Sequence, residues 1–223
     1  MCLSTLELHF DSSTFTLEWL GFFEAIAKAF PNLSSLIFGG YPHEPLNMMV
    51  QDLLGPLYKL PLTRLALPDF PYAFSGAEIG NMLRAWPHLR YLRLAWPQTV
   101  LDPSTLLPQI VDHKSLESIF LRLEINHLFG PLSLNLISPP KSAIRRSQLK
   151  NICLFEPRVI PLTLNEKATF VRNLLALFPS LNSLRLLPGV KYSNLEDELR
   201  MLLVALKATY EDGYRARAEE ENN

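Results

Sequence analysis

The sequence predicts an α/β solenoid of about seven strand–helix units, with a parallel sheet on its concave face and helices on its convex face. Three observations carry this. Leucine supplies 45 of the 223 residues, a bias that points to internal repeats. The pattern L-x-x-L-x-L, with other apolar residues allowed, recurs seven times, with first positions at 3, 33, 62, 89, 116, 149 and 181. The spacings of 30, 29, 27, 27, 33 and 32 residues each leave room for one strand and one helix.

The strand cores read Leu3/Leu6/Leu8, Leu33/Leu36/Phe38, Leu62/Leu65/Leu67, Leu89/Leu92/Leu94, Leu116/Ile119/Leu121, Leu149/Ile152/Leu154 and Leu181/Leu184/Leu186. Between them, apolar residues fall at helical steps of three and four. Leu17, Leu20, Phe23, Ala27 and Phe30 make one such face, and Leu46, Met49, Val50, Leu53 and Leu57 a second. Ser75 and Glu78 form a capping box at a third helix start, and Ser193 and Glu196 are spaced for another. Asp102-Pro103 places a cap residue before a proline at the first helical position. Phe170, Leu174 and Leu177 line the next face, and Leu195, Leu199, Leu202 and Leu206 the last. Three units are entered by an aromatic-Pro pair: Phe30-Pro31, Trp86-Pro87 and Phe178-Pro179. Proline cannot continue a helix without losing a hydrogen bond, so each pair ends one and turns the chain toward a strand. Residues 127–147, with Pro131, Pro139 and Pro140, show no helical period and read as an irregular insertion. The charged segment 211–223 is expected to fray.

Strand–helix alternation gives right-handed crossovers and a parallel sheet, and stacked units share one core. The first unit starts at Leu3, so its leucines are expected to lie at an edge of the solenoid unless something covers them.

Composition narrows the function classes. Hydrophobic residues are 48% of the chain and charged residues 19%, the balance of a folded domain. The formal net charge of −1 argues against a strongly basic nucleic-acid binder. Two cysteines are too few for a disulfide framework or a structural zinc site. The opening residues lack the basic segment and apolar run of a secretory signal, and no apolar run reaches membrane-spanning length. An intracellular protein, cytoplasmic or nuclear, is expected, with no membrane or nucleic-acid partner and no cofactor. The five histidines are scattered, with no His-Glu-x-x-His pair, no Cys-x-x-Cys, no Gly-x-Ser-x-Gly elbow and no phosphate loop. No catalytic residue and no metal site is assigned, and an enzyme is not expected.

The phrases Ala29-Phe30-Pro31-Asn32-Leu33, Ala85-Trp86-Pro87-His88-Leu89 and Leu177-Phe178-Pro179-Ser180-Leu181 extend the pattern to aromatic-Pro-x-Leu-x-x-Leu-x-Leu. In this form it resembles the leucine-rich-repeat region of fungal F-box proteins, of the ribonuclease-inhibitor-like superfamily. The resemblance covers nearly the whole chain, with residues 1–210 as the leucine-rich-repeat domain. It implies a protein-interaction module like the substrate-recognition region of an F-box subunit of a cullin-RING ubiquitin ligase. The F-box itself is not visible in the sequence, so a ligase adaptor is expected only if an F-box lies outside this chain. A regulatory scaffold without a ubiquitin role is the alternative.

Side chains alternate along a strand, so residues between the core leucines face the concave side. Arg64, Tyr91, Arg93, Phe120, Arg122 and Phe155 form an Arg/aromatic patch there, the residue types favoured at binding hot spots. Its protein target is not specified by the sequence. Cys153 falls on the same face and reads as an ordinary strand thiol. Two weaker candidates lie on loops: the aromatics Phe10, Tyr41, Phe70 and Trp96, and the basic run Lys141–Lys150.

Overall fold

The structure is a computed structural model that describes residues 3–10, 19–40, 54–68, 74–94, 101, 103–121, 147–155, 162–187 and 193–221. Seven strands form one sheet in sequence order: β1 (Thr5–Phe10), β2 (Ser35–Gly40), β3 (Arg64–Leu67), β4 (Tyr91–Leu94), β5 (Ser118–Leu121), β6 (Asn151–Phe155) and β7 (Ser183–Leu187). Every neighbouring pair is parallel. Among the described residues the α-helices are α1 (Trp19–Ala29), α2 (Gly76–Ala85), α3 (Pro103–Asp112), α4 (Leu164–Leu177) and α5 (Ser193–Glu221). A 3-10 helix, η1 (Gly55–Lys59), precedes β3.

One hydrogen-bond pattern joins consecutive units. The carbonyl of the residue after the first core leucine accepts two backbone N–H groups from the next unit. Ser4 accepts from Ser34 and Ser35, Ser34 from Thr63 and Arg64, and Thr63 from Arg90 and Tyr91. Arg90 accepts from Glu117 and Ser118, Glu117 from Lys150 and Asn151, and Lys150 from Asn182 and Ser183. The register follows the leucine pattern: Leu36 pairs with Leu65, Leu65 with Leu92, Leu92 with Ile119, Ile119 with Ile152, and Ile152 with Leu184.

The aromatic-Pro pairs end helices in one way. Backbone N–H groups of Phe30, Trp86 and Phe178 close the last turn onto Ile26, Met82 and Leu174, at 2.9, 3.0 and 2.7 Å. The proline that follows has no N–H to continue the helix. The core leucine three residues after each aromatic then donates back to that aromatic's carbonyl at 3.0 Å, closing the turn into the strand.

All three core positions of units two to seven are buried. They share one core with Phe23, Ile26, Ile79, Met82, Leu106, Ile110, Phe170, Leu174, Leu199 and Leu203 from the helices. The first unit differs: Leu3 is 38% exposed, and Leu6 and Leu8 are half-buried. The cause is topological, since among the described strands β1 pairs with β2 alone. Leu92, wholly buried in the central strand, sets the scale for the interior. Leu92→Ala is expected to lose about 2–5 kcal/mol of stability in urea melts; a midpoint equal to the parent's would contradict this packing.

The capping box at Ser75 and Glu78 is present in full. Thr163 and Glu166 form a second. At the start of α5 the Glu196 carboxylate accepts the backbone N–H of Leu186, at 3.1 Å. Ser193 is the first residue of that helix, and its side chain is outside the described ones. The helix runs on to Glu221, through most of the segment expected to fray. Residues 214–221 are rich in Ala, Arg and Glu, strong helix formers, and Glu211–Arg215 and Arg215–Glu219 are spaced for favourable i,i+4 pairs. The expected helical face Leu46–Leu57 is described only from Leu54, where Leu54 and Leu57 are buried. The insertion 127–147 lies outside the described residues, except for Ser147.

Candidate functional site: the helix-free face of the sheet

Alternation along each strand turns one set of side chains into the core, where the buried side chains of the described helices pack, and the other onto the opposite face, which is helix-free among the described residues. Across that face the register aligns two rows. One runs Thr5, Ser35, Arg64, Tyr91, Ser118, Asn151, Ser183. The other runs Glu7, Ile37, Ala66, Arg93, Phe120, Cys153, Arg185.

The centre of the face is a contact cluster. The Arg64 guanidinium carbon sits 4.5 Å from the centroid of the Tyr91 ring, a cation–π geometry. Tyr91 and Phe120 are diagonal neighbours with ring centroids 5.3 Å apart and planes tilted by 44°. Beside them Asn151 Nδ2 donates to Ser118 Oγ at 2.8 Å. Four of the six patch residues expected from sequence, Arg64, Tyr91, Arg93 and Phe120, therefore occupy adjacent register positions on one face. Arg122 lies outside the described residues. Phe155 belongs to β6, paired with Leu187, and its side chain is outside the described ones.

Among the described residues, no carboxylate comes within ion-pair distance of Arg64, Arg93 or Arg185. Arg93 is half-buried, and its Nε is a buried donor with no acceptor among the described groups. A buried guanidinium donor without an acceptor is costly, and the rest of the half-buried guanidinium keeps donors for a carboxylate from outside. Glu7 lies at the β1 edge of this face, where it meets His9 at 2.9 Å, and Glu196 is near enough to act on Cys153.

Cys153 lies between Phe120 and Arg185 in the register and is 2% exposed. Burial, followed by the charge of Glu196, pushes its thiol up to about 11, against the opposing pull of Arg185 and Arg93. The group is a neutral thiol at physiological pH and a poor nucleophile. At pH 8 the shift from 9.0 to about 11 alone predicts roughly hundredfold slower alkylation of Cys153 in the folded chain than after unfolding. Peptide mapping after iodoacetamide treatment reads this site separately from Cys2, and equal rates in both states would contradict it.

The weaker candidates separate. Lys150, the end of the basic run, donates to Glu117 at 3.0 Å, and Glu117 also faces Arg90 at 3.9 Å. Residues 141–146 lie outside the described residues, as do Tyr41, Phe70, Trp96 and the side chain of Phe10. Among the described residues, no three His, Cys, Asp or Glu side chains come together as a metal site. No described helix is long and apolar enough to cross a membrane.

Sequence reasoning passed over one buried polar link. Trp86 Nε1 donates to the Leu57 carbonyl at 3.2 Å, and His113 Nε2 donates to the Trp86 carbonyl at 3.0 Å. His113 stands three residues before Leu116, the place Trp86 holds before Leu89. That shared register was the available signal.

No family model, no curated protein and no solved structure matches this chain.

Proposed function

We propose that the chain is a non-catalytic protein-binding module, a leucine-rich-repeat solenoid whose helix-free sheet face holds an acidic segment of a partner protein. The observation that supports this most is the cluster of Arg64, Tyr91, Arg93 and Phe120, with Arg185 two strands further on and no carboxylate among the described residues within ion-pair distance of the arginines. Aromatic and arginine side chains held on a rigid sheet lose little conformational freedom on binding, which favours them as anchors. A partner carboxylate meeting a half-buried guanidinium forms a charge-assisted hydrogen bond, typically about 1.5–3 kcal/mol.

The spacing of 27 to 33 residues and the aromatic-Pro entry phrases support the leucine-rich-repeat reading. The resemblance to F-box proteins extends it to target recognition for a cullin-RING ubiquitin ligase. In that role the sheet face would hold the target, and an adaptor-binding segment outside this chain would join the ligase. Affinity purification of the tagged protein from its own cells tests both parts. A target released by the Tyr91→Ala/Arg93→Ala double variant, together with ligase subunits, is the expected result. Ligase subunits missing from both samples would remove the ubiquitin role and leave the scaffold. A partner set unchanged by the double variant would overturn the proposed face.

A further inference from the structure

The edge of β1 carries a second interaction surface, independent of the arginine cluster. Ser35, the register partner of Thr5, donates its backbone N–H to the Ser4 carbonyl. Backbone groups alternate sides along a strand. The even residues of β1 therefore point their N–H and C=O toward β2, and Thr5, Glu7 and His9 point theirs at the open edge. No strand pairs there among the described residues. The edge is six residues long, contains no proline or lysine, and has half-buried Leu6 and Leu8 on its core side. Proteins commonly blunt such edges with prolines, charges or covering segments.

We infer that this edge pairs with the same edge of a second copy of the chain, antiparallel about a two-fold axis through Leu8. The side chains of the edge select both occupant and register, since a carboxylate can accept from an imidazole N–H and repels a second carboxylate. Two copies related by an axis perpendicular to the sheet keep their helix-free faces on one side only if residues of equal parity oppose each other. Centring on Glu7 would set two carboxylates face to face. Centring on Leu8 sets each Glu7 opposite His9 of the second copy, twice by symmetry, as an isologous interface requires. The same register makes the Glu7–His9 pairs the hydrogen-bonded ones, because both residues have outward-facing backbone groups. Leu8 meets its own copy at a non-hydrogen-bonded position, where opposed side chains approach most closely. Leu6 falls opposite Phe10 of the second copy. The Glu7–His9 contact within each strand, 2.9 Å between exposed side chains, is then shared across the junction. The product is one continuous fourteen-strand sheet, from two sheets of seven strands.

The test is sedimentation equilibrium of the full chain from micromolar to near-millimolar concentration. A mass rising from 25.4 kDa to twice that value is expected. Glu7→Lys sets Lys against His9, and His9→Glu sets Glu against Glu7; each is expected to weaken the dimer roughly tenfold or more. The swapped chain carrying both Glu7→Lys and His9→Glu is expected to recover it. Both side chains are more than half exposed, so the variants keep the fold, which circular dichroism checks. A parent that stays monomeric at every concentration overturns the inference, as does a dimer unaffected by the single changes. Failure of the double swap to restore pairing overturns the proposed register.

Discussion

Trp86→Ala is expected to destabilise the protein by about 3–5 kcal/mol, among the largest losses for any single side chain. The indole is 1% exposed and is the largest fully buried side chain described. It stacks edge-on to Tyr58 with ring centroids 5.1 Å apart. Its Nε1–H holds the Leu57 carbonyl of the preceding unit, and its own carbonyl receives Nε2–H of His113 from the following one. Truncation therefore opens a cavity at a point where three units meet. Leu57 keeps the N–H of Leu60 on its carbonyl, so the lost indole hydrogen bond contributes only about 1 kcal/mol of the total. Trp86→Phe separates the two effects, because it retains most of the packing and lacks the donor. It is expected to cost clearly less than the alanine. Urea melts of the three proteins check this ordering, and equal midpoints for Trp86→Ala and the parent would contradict it.

The second large effect falls on binding. Tyr91→Ala/Arg93→Ala is expected to weaken the partner roughly a hundredfold or more, the scale of losing two central anchors. Tyr91 holds the middle of the cluster: its removal takes away the surface on which Arg64 rests and one wall of the contact with Phe120. Arg93 supplies the half-buried guanidinium, whose Nε has no acceptor among the described groups. Because both residues lie on the helix-free face, the urea midpoint should move far less than for Trp86→Ala. Raising the salt concentration should weaken the parent's binding and affect the residual binding of the variant less, since screening acts on the charged part of the interaction. Full affinity in the double variant, with an intact fold, would remove the face from the binding reaction.

Much of the sheet was legible because its signal is periodic. A leucine every second residue within a strand, repeated about every thirty residues, leaves few arrangements other than parallel strands in sequence order. All seven predicted strand positions lie in one sheet in that order. Helix ends were legible at Phe30-Pro31, Trp86-Pro87 and Phe178-Pro179, where an aromatic-Pro pair follows a helical face and precedes the strand pattern, since the missing N–H is a local fact. The Thr163–Glu166 box carries the same local signal and was passed over. Glu196 was harder to read. Beside its spacing from Ser193, its carboxylate accepts from Leu186, ten residues away, a tertiary contact that local spacing cannot encode. Leu6 and Leu8 show the same limit, because the strand pattern marks core positions without saying how many neighbours cover them. At the candidate site, alternation alone placed Arg64, Tyr91, Arg93 and Phe120 on one face. The unpartnered Nε of Arg93 and the depth of Cys153 are tertiary facts, and they became visible only with the structure.

The measurement that tests the central claim most directly is site-specific photocrosslinking in the protein's own cells. A photoreactive phenylalanine at Ser118, between Tyr91 and Asn151 on the helix-free face, samples the proposed docking surface. The same group at Arg172, exposed on α4, samples the helical side. The account predicts a partner protein crosslinked from Ser118 through a segment rich in aspartate or glutamate, lost in the Tyr91→Ala/Arg93→Ala background and absent from Arg172. A partner captured from Arg172 and not from Ser118, or one joined at Ser118 through a basic segment, would contradict it.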